Sequence, residues 1–188
     1  MVSKKDRIDI AACVGTDTLL GKTMGDAHFP HLLAAILKSP PGSLVYLDFA
    51  DITNITASYI AATLVRLLHM LASGSLDRHL VIGGVSGEYE DEITYVLEHE
   101  HTPILADTNN GNLRVLGPLD EAYVQTLEAV TARGRVTAKD LQSTTRARIG
   151  QTAWIKRLTT LYTLGLVKRT KSGREYTYEP ITVKEFYG

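Results

Sequence analysis

The spacing of apolar positions in residues 1–116 predicts strands and helices in alternation. Continuous apolar character over 43–49 is typical of a strand that is buried on both faces. Apolar residues recur every three or four positions over 56–72, which predicts an amphipathic helix. The predicted elements are a strand 7–13, a short helix from His28 that ends before Pro40-Pro41-Gly42, a strand 43–49, a helix 56–72, a strand 80–83, a helix through Glu100 that is capped by Ser86, and strands 103–107 and 113–116 around Asn109-Asn110-Gly111. Their order predicts a mixed α/β domain with helices packed on a small sheet.

The pattern changes after Gly117-Pro118, where a turn precedes a new helix start at Asp120. The predicted elements are helices 120–133, 138–142 and 150–164, followed by strands 167–170 and 175–179. The sequence Lys171-Ser172-Gly173-Arg174 joins these two strands. We therefore expect two domains, residues 1–116 and 117–188, the second built from three helices and a β-hairpin.

Composition limits the classes of protein that fit this chain. It has 188 residues and is 44% hydrophobic and 22% charged, which is typical of a globular protein. No apolar stretch is long enough for a transmembrane helix, and no apolar segment of a signal peptide follows the basic start. Cys13 is the single cysteine, so an intrachain disulfide is excluded. These features favour a cytoplasmic location without membrane contact.

Charge is distributed unevenly between the two segments. Residues 1–116 carry 8 Lys/Arg and 14 Asp/Glu, whereas residues 117–188 carry 12 Lys/Arg and 7 Asp/Glu. A basic segment joined to an acidic one suggests that the basic part meets a polyanion such as nucleic acid.

The stretch RIGQTAWIKRLTTLYTLGLVKRTKSGREYTYEP resembles the winged helix-turn-helix domains of bacterial transcriptional regulators. The residues that carry this resemblance are Gln151-Thr152-Ala153, Leu158, Leu161, Gly165-Leu166-Val167 and Tyr178-Glu179-Pro180. One face of the third helix is apolar, and the other carries short polar and basic groups suited to the major groove. We expect bases to be read by Gln151, Thr152, Ile155 and Lys156, and phosphates to be held by Arg146, Arg148, Arg157, Lys168, Arg169, Lys171 and Arg174.

The turn before the third helix departs from the winged-helix pattern. The spacing from Leu141 to Leu158 is about two residues longer than in the tightest helix-turn-helix motifs. We interpret the insert STTRARIG as a longer turn that supplies Arg146 and Arg148 as extra phosphate contacts. A winged helix that serves protein contacts or dimerisation remains the alternative.

The first segment contains VYLDFADITNITASYIAATLVRLL, which resembles the STAS domain of sulfate transporters and antagonists of anti-sigma factors. The resemblance implies a STAS-like α/β domain used for dimerisation or for sensing a partner or signal. In partner-switching members, the first hydroxyl of an Asp-Ser-Ser/Thr-Gly motif is phosphorylated. Ala57 stands at that position here, and Thr56 and Ser58 flank it as possible regulatory hydroxyls. The alternative is structural, with Thr56 as the N-cap of a helix and Ser58 in its first turn.

Two further patterns are weaker. Gly15–Thr23 reads GTDTLLGKT, but a phosphate-binding loop has four residues between its first Gly and Gly-Lys-Thr, whereas this run has five. Glu98-His99-Glu100-His101 lacks the i, i+4 histidine spacing of a helical zinc site. We find no constellation for nucleophilic catalysis, and we expect no enzymatic activity, metal or cofactor.

Together these patterns predict a cytoplasmic DNA-binding transcriptional regulator. We expect double-stranded DNA as its partner, a homodimer as its assembly and a protein partner for the STAS-like domain. The alternative is a partner-switching regulator that docks on a kinase, sigma factor or ATPase without binding DNA.

Overall fold

The computed structural model describes residues 6–85, 87–108, 110–144 and 149–187. The chain divides into two compact units, one made of residues 1–118 and 182–188 and the other of residues 119–181. The sequence division placed residues 182–188 in the second domain, whereas the contacts of residues 182–187 group these residues with the first unit. The predicted class, mixed α/β with a C-terminal winged helix, is confirmed by the architecture of the two units.

The first unit is built on a five-stranded mixed sheet in the order β1-β3-β5-β6-β7. Strands β1, β3, β5 and β6 are parallel, and β7 is antiparallel to β6. The strands are β1 (Arg7–Asp9), β3 (Leu44–Asp48), β5 (His79–Gly83), β6 (Ile104–Asp107) and β7 (Leu113–Leu116), and a separate pair joins β2 (Thr18–Leu19) to β4 (Asn54–Ile55). Apolar side chains of β3 and β5 are buried on both faces, as the continuous apolar runs predict.

The helices of the first unit pack their apolar positions against one face of this sheet. They are α1 (Ile10–Val14), α2 (Gly21–Leu37), α3 (Ala57–Ile60), α4 (Arg66–Ala72) and α5 (Glu88–His99), and a π-helical segment, Ala61–Val65, joins α3 to α4. Val45 and Leu47 of β3 join Leu32, Leu64 and Leu97 in the core on this face. The helix predicted over 56–72 is present as one continuous helical segment, and its middle part, Ala61–Val65, is π-helical.

Two predicted boundaries near the start of the first unit are wrong. The predicted strand 7–13 stops at Asp9, because the Asp9 carboxylate accepts a hydrogen bond from the Ala12 amide at 2.9 Å and caps α1. Cys13 consequently lies half-exposed on a helix rather than in the predicted strand. Helix α2 begins at Gly21 rather than at His28 and continues through Pro30.

The helix predicted from Ser86 begins at Glu88, with Gly87 in the N-cap position. Ser86, the expected cap, lies outside the described residues, as does Asn109 of the predicted hairpin turn. The hairpin itself is present, because β6 and β7 pair in register from Ile104 with Leu116 to Asp107 with Leu113.

The second unit has three helices followed by a β-hairpin. The helices are α6 (Glu121–Arg133), α7 (Ala138–Thr144) and α8 (Gln151–Thr163), and the hairpin strands are β8 (Val167–Ser172) and β9 (Glu175–Pro180). Val136, between α6 and α7, pairs antiparallel with Tyr178 of β9 through an isolated bridge beside the two-stranded hairpin. This order of helices and strands is that of a winged helix.

Thr137 caps α7 through its side chain. Its hydroxyl accepts from the Asp140 amide at 3.2 Å, and the Asp140 carboxylate accepts from the Thr137 amide at 2.8 Å. This reciprocal pair is a capping box in which Asp stands in the third position. The hydrogen bonds from Thr137 stabilise the carboxylate and hold the pKa of Asp140 below its usual value.

Candidate nucleic-acid interface

Helix α8 has one buried face and one exposed face. Trp154, Leu158 and Leu161 are each at most 3% exposed and anchor the helix in the core of the second unit. Gln151, Thr152 and Lys156 are exposed. Ile155 lies among them and is 48% exposed, although it is a large apolar residue. The four residues predicted to read bases therefore lie together on the solvent side of one helix.

The basic residues predicted to hold phosphates lie in different surroundings. Lys171 and Arg174 are exposed at the tip of the hairpin. Lys168 and Arg169 are half-buried nearer its base. Arg157 lies against the ring of Trp154, with its guanidinium carbon 5.4 Å from the ring centroid, on the flank of α8. Arg146 and Arg148 lie outside the described residues, so their roles stay predictions.

Two tyrosines that the sequence analysis did not select lie beside this surface. Tyr162 of α8 and Tyr176 of β9 each place a ring against the guanidinium of Arg169. The spacing could have revealed Tyr162, because it follows the exposed Ile155 by seven residues and therefore lies on nearly the same side of the helix. Tyr176 could not be placed opposite Lys171 without the hairpin register.

The hairpin is fixed to α8 and to the start of α7 by polar contacts. Tyr178 is buried, and its hydroxyl lies 3.4 Å from the Thr159 hydroxyl of α8. Arg135 forms an ion pair with Glu179, with Nε 2.5 Å from Oε1. These contacts hold the wing and the exposed face of α8 in one arrangement, which is a requirement for a preorganised binding surface.

The two candidate regulatory hydroxyls of the first unit differ in environment. Thr56 occupies the N-cap position of α3, but its hydroxyl makes no capping bond there. It accepts instead from the Gly21 amide at 2.9 Å, while the Glu92 carboxylate accepts from the Ala57 amide at 2.9 Å. Ser58 is exposed in the first turn. A carboxylate therefore already occupies the positive end of this helix, where a phosphate would otherwise be favoured.

A buried polar cluster lies on the sheet face opposite the helices of the first unit. Tyr46 crosses from β3 over Gly83 of β5, and its hydroxyl donates to the Asp107 carboxylate of β6 at 3.0 Å. Asp107 also accepts from the Gly111 amide at 3.2 Å and from the hydroxyl of Tyr187. Burial raises the pKa of Tyr46, which keeps this phenol protonated as a donor.

The remaining sequence patterns do not assemble into a site. Lys22, of the Gly-Lys-Thr sequence, pairs with Asp26 at 2.5 Å on the surface of α2, and the neighbouring Gly21 amide is occupied by Thr56. Helix α5 ends at His99, within the Glu-His-Glu-His run. Among the described residues, no three His, Cys, Asp or Glu side chains are grouped to hold a metal ion, and no helix is long and apolar enough to cross a membrane.

Comparison with known proteins gives a partial likeness. No family model matches the chain, and no curated protein matches it. The chain aligns with the solved structure of an ArsR-like transcriptional regulator from Rhodococcus sp. RHA1, with 31% identity and a TM-score of 0.28. The alignment covers 33% of this chain and 56% of that chain, so it spans little more than half of the regulator's length. The STAS resemblance of the first unit stays a prediction.

Proposed function

We propose that this chain is a DNA-binding transcriptional regulator whose second unit binds duplex DNA. The observation that supports this function best is the exposed face of α8, where Gln151, Thr152, Ile155 and Lys156 lie together. Such groups can hydrogen-bond base edges or contact the thymine methyl in the major groove.

The hairpin supplies the electrostatic part of the same surface. Lys171 and Arg174 are exposed at its tip, where cations can neutralise phosphates on either side of the groove. In this proposal Lys168, Arg169 and Arg157 add positive charge closer to the helix, and Arg146 and Arg148 do so from the preceding turn. The function requires no catalytic step, metal or cofactor.

The first unit is assigned a STAS-like regulatory role in the cytoplasm. It would form a homodimer, because two half-sites bound together raise affinity through effective concentration. It would also offer a docking surface near the start of α3. The exposure of Ser58 there favours a second candidate function, in which a protein partner binds this surface and its affinity depends on the state of that hydroxyl.

The direct test is a gel shift with the DNA upstream of the chain's own gene. Wild-type protein should retard this duplex at low salt. Lys156→Ala and Arg174→Ala should each weaken binding, since each removes a cation from the proposed surface. Arg133→Ala is the matched control, because Arg133 is exposed at the end of α6, on a helix that contributes no residue to the proposed surface. Absence of retardation at low salt would exclude the function, and a partner that co-purifies stably instead would favour the second candidate.

A further inference from the structure

The guanidinium of Arg169 packs against two aromatic rings in the second unit. Its central carbon is 3.9 Å from the ring centroid of Tyr162 and 4.4 Å from that of Tyr176. We call this group, Tyr162, Arg169 and Tyr176, the tyrosine clamp. Both distances are well within the range of about 6 Å over which a cation and an aromatic ring attract each other.

The clamp follows from the register of the hairpin and the period of α8. Arg169 pairs with Tyr178, and Lys171 pairs with Tyr176, so Arg169 reaches Tyr176 diagonally across the same face of the hairpin. Tyr162 lies two turns after Ile155 on α8. The clamp therefore joins the exposed side of the helix to the face of the hairpin that carries Lys171.

The chemistry of arginine determines what such a group can bind. Aromatic rings stack on the two faces of the planar guanidinium, whereas its five N–H donors point outward in the plane. Arg169 forms no ion pair with a carboxylate among the side chains that the structure describes. Its side chain is half-buried, so part of it is exposed to solvent. An arginine that packs against aromatic rings and has no ion pair with a described carboxylate is suited to a planar, bidentate anion contact.

We propose that the tyrosine clamp is a preorganised phosphate-binding site for duplex DNA, in which Tyr162 and Tyr176 are positioning residues for Arg169. The proposal rests on the proposed function of the second unit. A free arginine side chain loses rotamer entropy when it is fixed on a phosphate, and this loss weakens binding. Two rings that fix the side chain beforehand reduce that loss, so the clamp increases affinity without adding a charge.

A purely structural role for the clamp gives a different expectation. If Arg169 only fastened the hairpin to α8, loss of Arg169 and loss of a ring would alter DNA binding in the same way. If Arg169 also contacts a phosphate, only its own loss removes a counterion-releasing contact. The salt dependence of binding distinguishes these roles, because each phosphate contact contributes about −0.9 to the slope of log K against log salt.

The experiment measures the affinity of the full chain for a short fluorescein-labelled duplex by fluorescence anisotropy, between about 50 and 200 mM salt. Arg169→Ala should reduce the steepness of the salt slope by about 0.9. Tyr176→Leu should keep the wild-type slope and weaken binding about twofold to fivefold at fixed salt. Tyr176→Phe, which keeps the ring, should bind like wild type. In the Arg169→Ala background, Tyr176→Leu should have no further effect.

Several results would overturn the clamp. If Arg169→Ala leaves the slope of log K against log salt unchanged, Arg169 makes no phosphate contact and the clamp is only a structural contact. Equal losses in Tyr176→Phe and Tyr176→Leu would assign the effect to the hydroxyl rather than to the ring, and additive losses in the double variant would remove the coupling. Arg133→Ala is the matched arginine control, with the wild-type slope expected. If Tyr176→Leu fails to fold, the salt slopes of Arg169→Ala and Arg133→Ala still show whether Arg169 contacts a phosphate.

The same data separate this proposal from the one on which it rests. A wild-type chain that fails to bind the duplex at low salt would exclude the DNA-binding function and the clamp together. Wild-type binding with a steep salt slope that Arg169→Ala leaves intact would exclude only the clamp.

Discussion

Gly83 lies directly beneath the phenol of Tyr46 in the sheet of the first unit. A Cβ built at Gly83 would lie 1.7 Å from the Tyr46 hydroxyl oxygen and 2.2 Å from the ring carbon that carries it. Only glycine therefore allows Tyr46 to cross β5 and reach Asp107 on β6. The requirement is set by a side chain on the neighbouring strand, so it cannot be inferred from the local sequence around Gly83.

We expect Gly83→Ala to lower the free energy of unfolding by about 1–3 kcal/mol, because the added methyl overpacks this contact. Urea unfolding followed by circular dichroism provides the measurement. The matched test adds Tyr46→Leu, whose shorter side chain removes the clashing atoms. The cost of Gly83→Ala should then be smaller in the Tyr46→Leu background, and costs that simply add would contradict this explanation.

Tyr187 makes a second hydrogen bond to the buried Asp107 carboxylate. The preceding residue, Phe186, packs on Tyr46, and the two ring centroids are 5.1 Å apart. Tyr187→Phe should keep the ring contacts and lose the hydrogen bond, which corresponds to about 0.5–1.5 kcal/mol of stability. Tyr95→Phe is the control in the same unfolding assay, since Tyr95 is 65% exposed. Equal effects of the two substitutions would show that the Asp107 contact contributes no stability.

Among the elements, α7 is short, and its stability depends on its capping box. It has only 7 residues, too few to be stable without packing and caps. Thr137→Ala removes the hydroxyl that accepts from the Asp140 amide and should cost about 1 kcal/mol. Thermal unfolding monitored by the fluorescence of Trp154 reports this loss in the second unit.

The cap also predicts how stability depends on pH. The folded pKa of Asp140 is depressed, so its contribution is fully present above the unfolded pKa of about 3.9. The contribution is lost as the pH falls through the lower folded pKa. Asp140→Asn should flatten this part of the stability profile, measured by urea unfolding at a series of acidic pH values. A profile as steep as that of wild type would assign the acid sensitivity to other carboxylates.

The elements differ in how far the sequence predicts them. The periodic pattern gives α6, α8 and both hairpins correctly, because these segments have strong apolar periods and clear turn residues. It fails at Asp9, which ends a strand by capping a helix, and at the start of α2, which lies at Gly21 rather than at His28. The exposed face of α8 is predictable from helical spacing, whereas the tyrosine clamp depends on contacts between α8 and the paired strands of the hairpin.

At the scale of the whole molecule, the connectivity ties the second unit to the first at both ends. Residues 1–118 lead into it, and residues 182–187 return to the first unit through the contacts of Phe186 and Tyr187. This return was not predictable from the sequence, since Asp107 and Tyr187 are 80 residues apart. Residues 182–187 have no periodic pattern of apolar positions from which their contacts with the first unit could be predicted.

The proposed function also predicts an assembly. Sedimentation equilibrium at micromolar concentration should give a particle of twice the 20.6 kDa chain mass, because the DNA-binding surface is expected in two copies. A monomer at every concentration, both alone and on DNA, would contradict the predicted homodimer.

The most direct measurement of the central claim is the salt dependence of duplex binding by wild type and by Lys171→Ala/Arg174→Ala. The exposed hairpin tip is proposed to neutralise phosphates, so log K should fall linearly with log salt. The slope of the double variant should be less steep by about 0.9 for each lost phosphate contact. An absence of duplex binding at low salt, or identical slopes for the two proteins, would contradict the assignment of this surface to DNA.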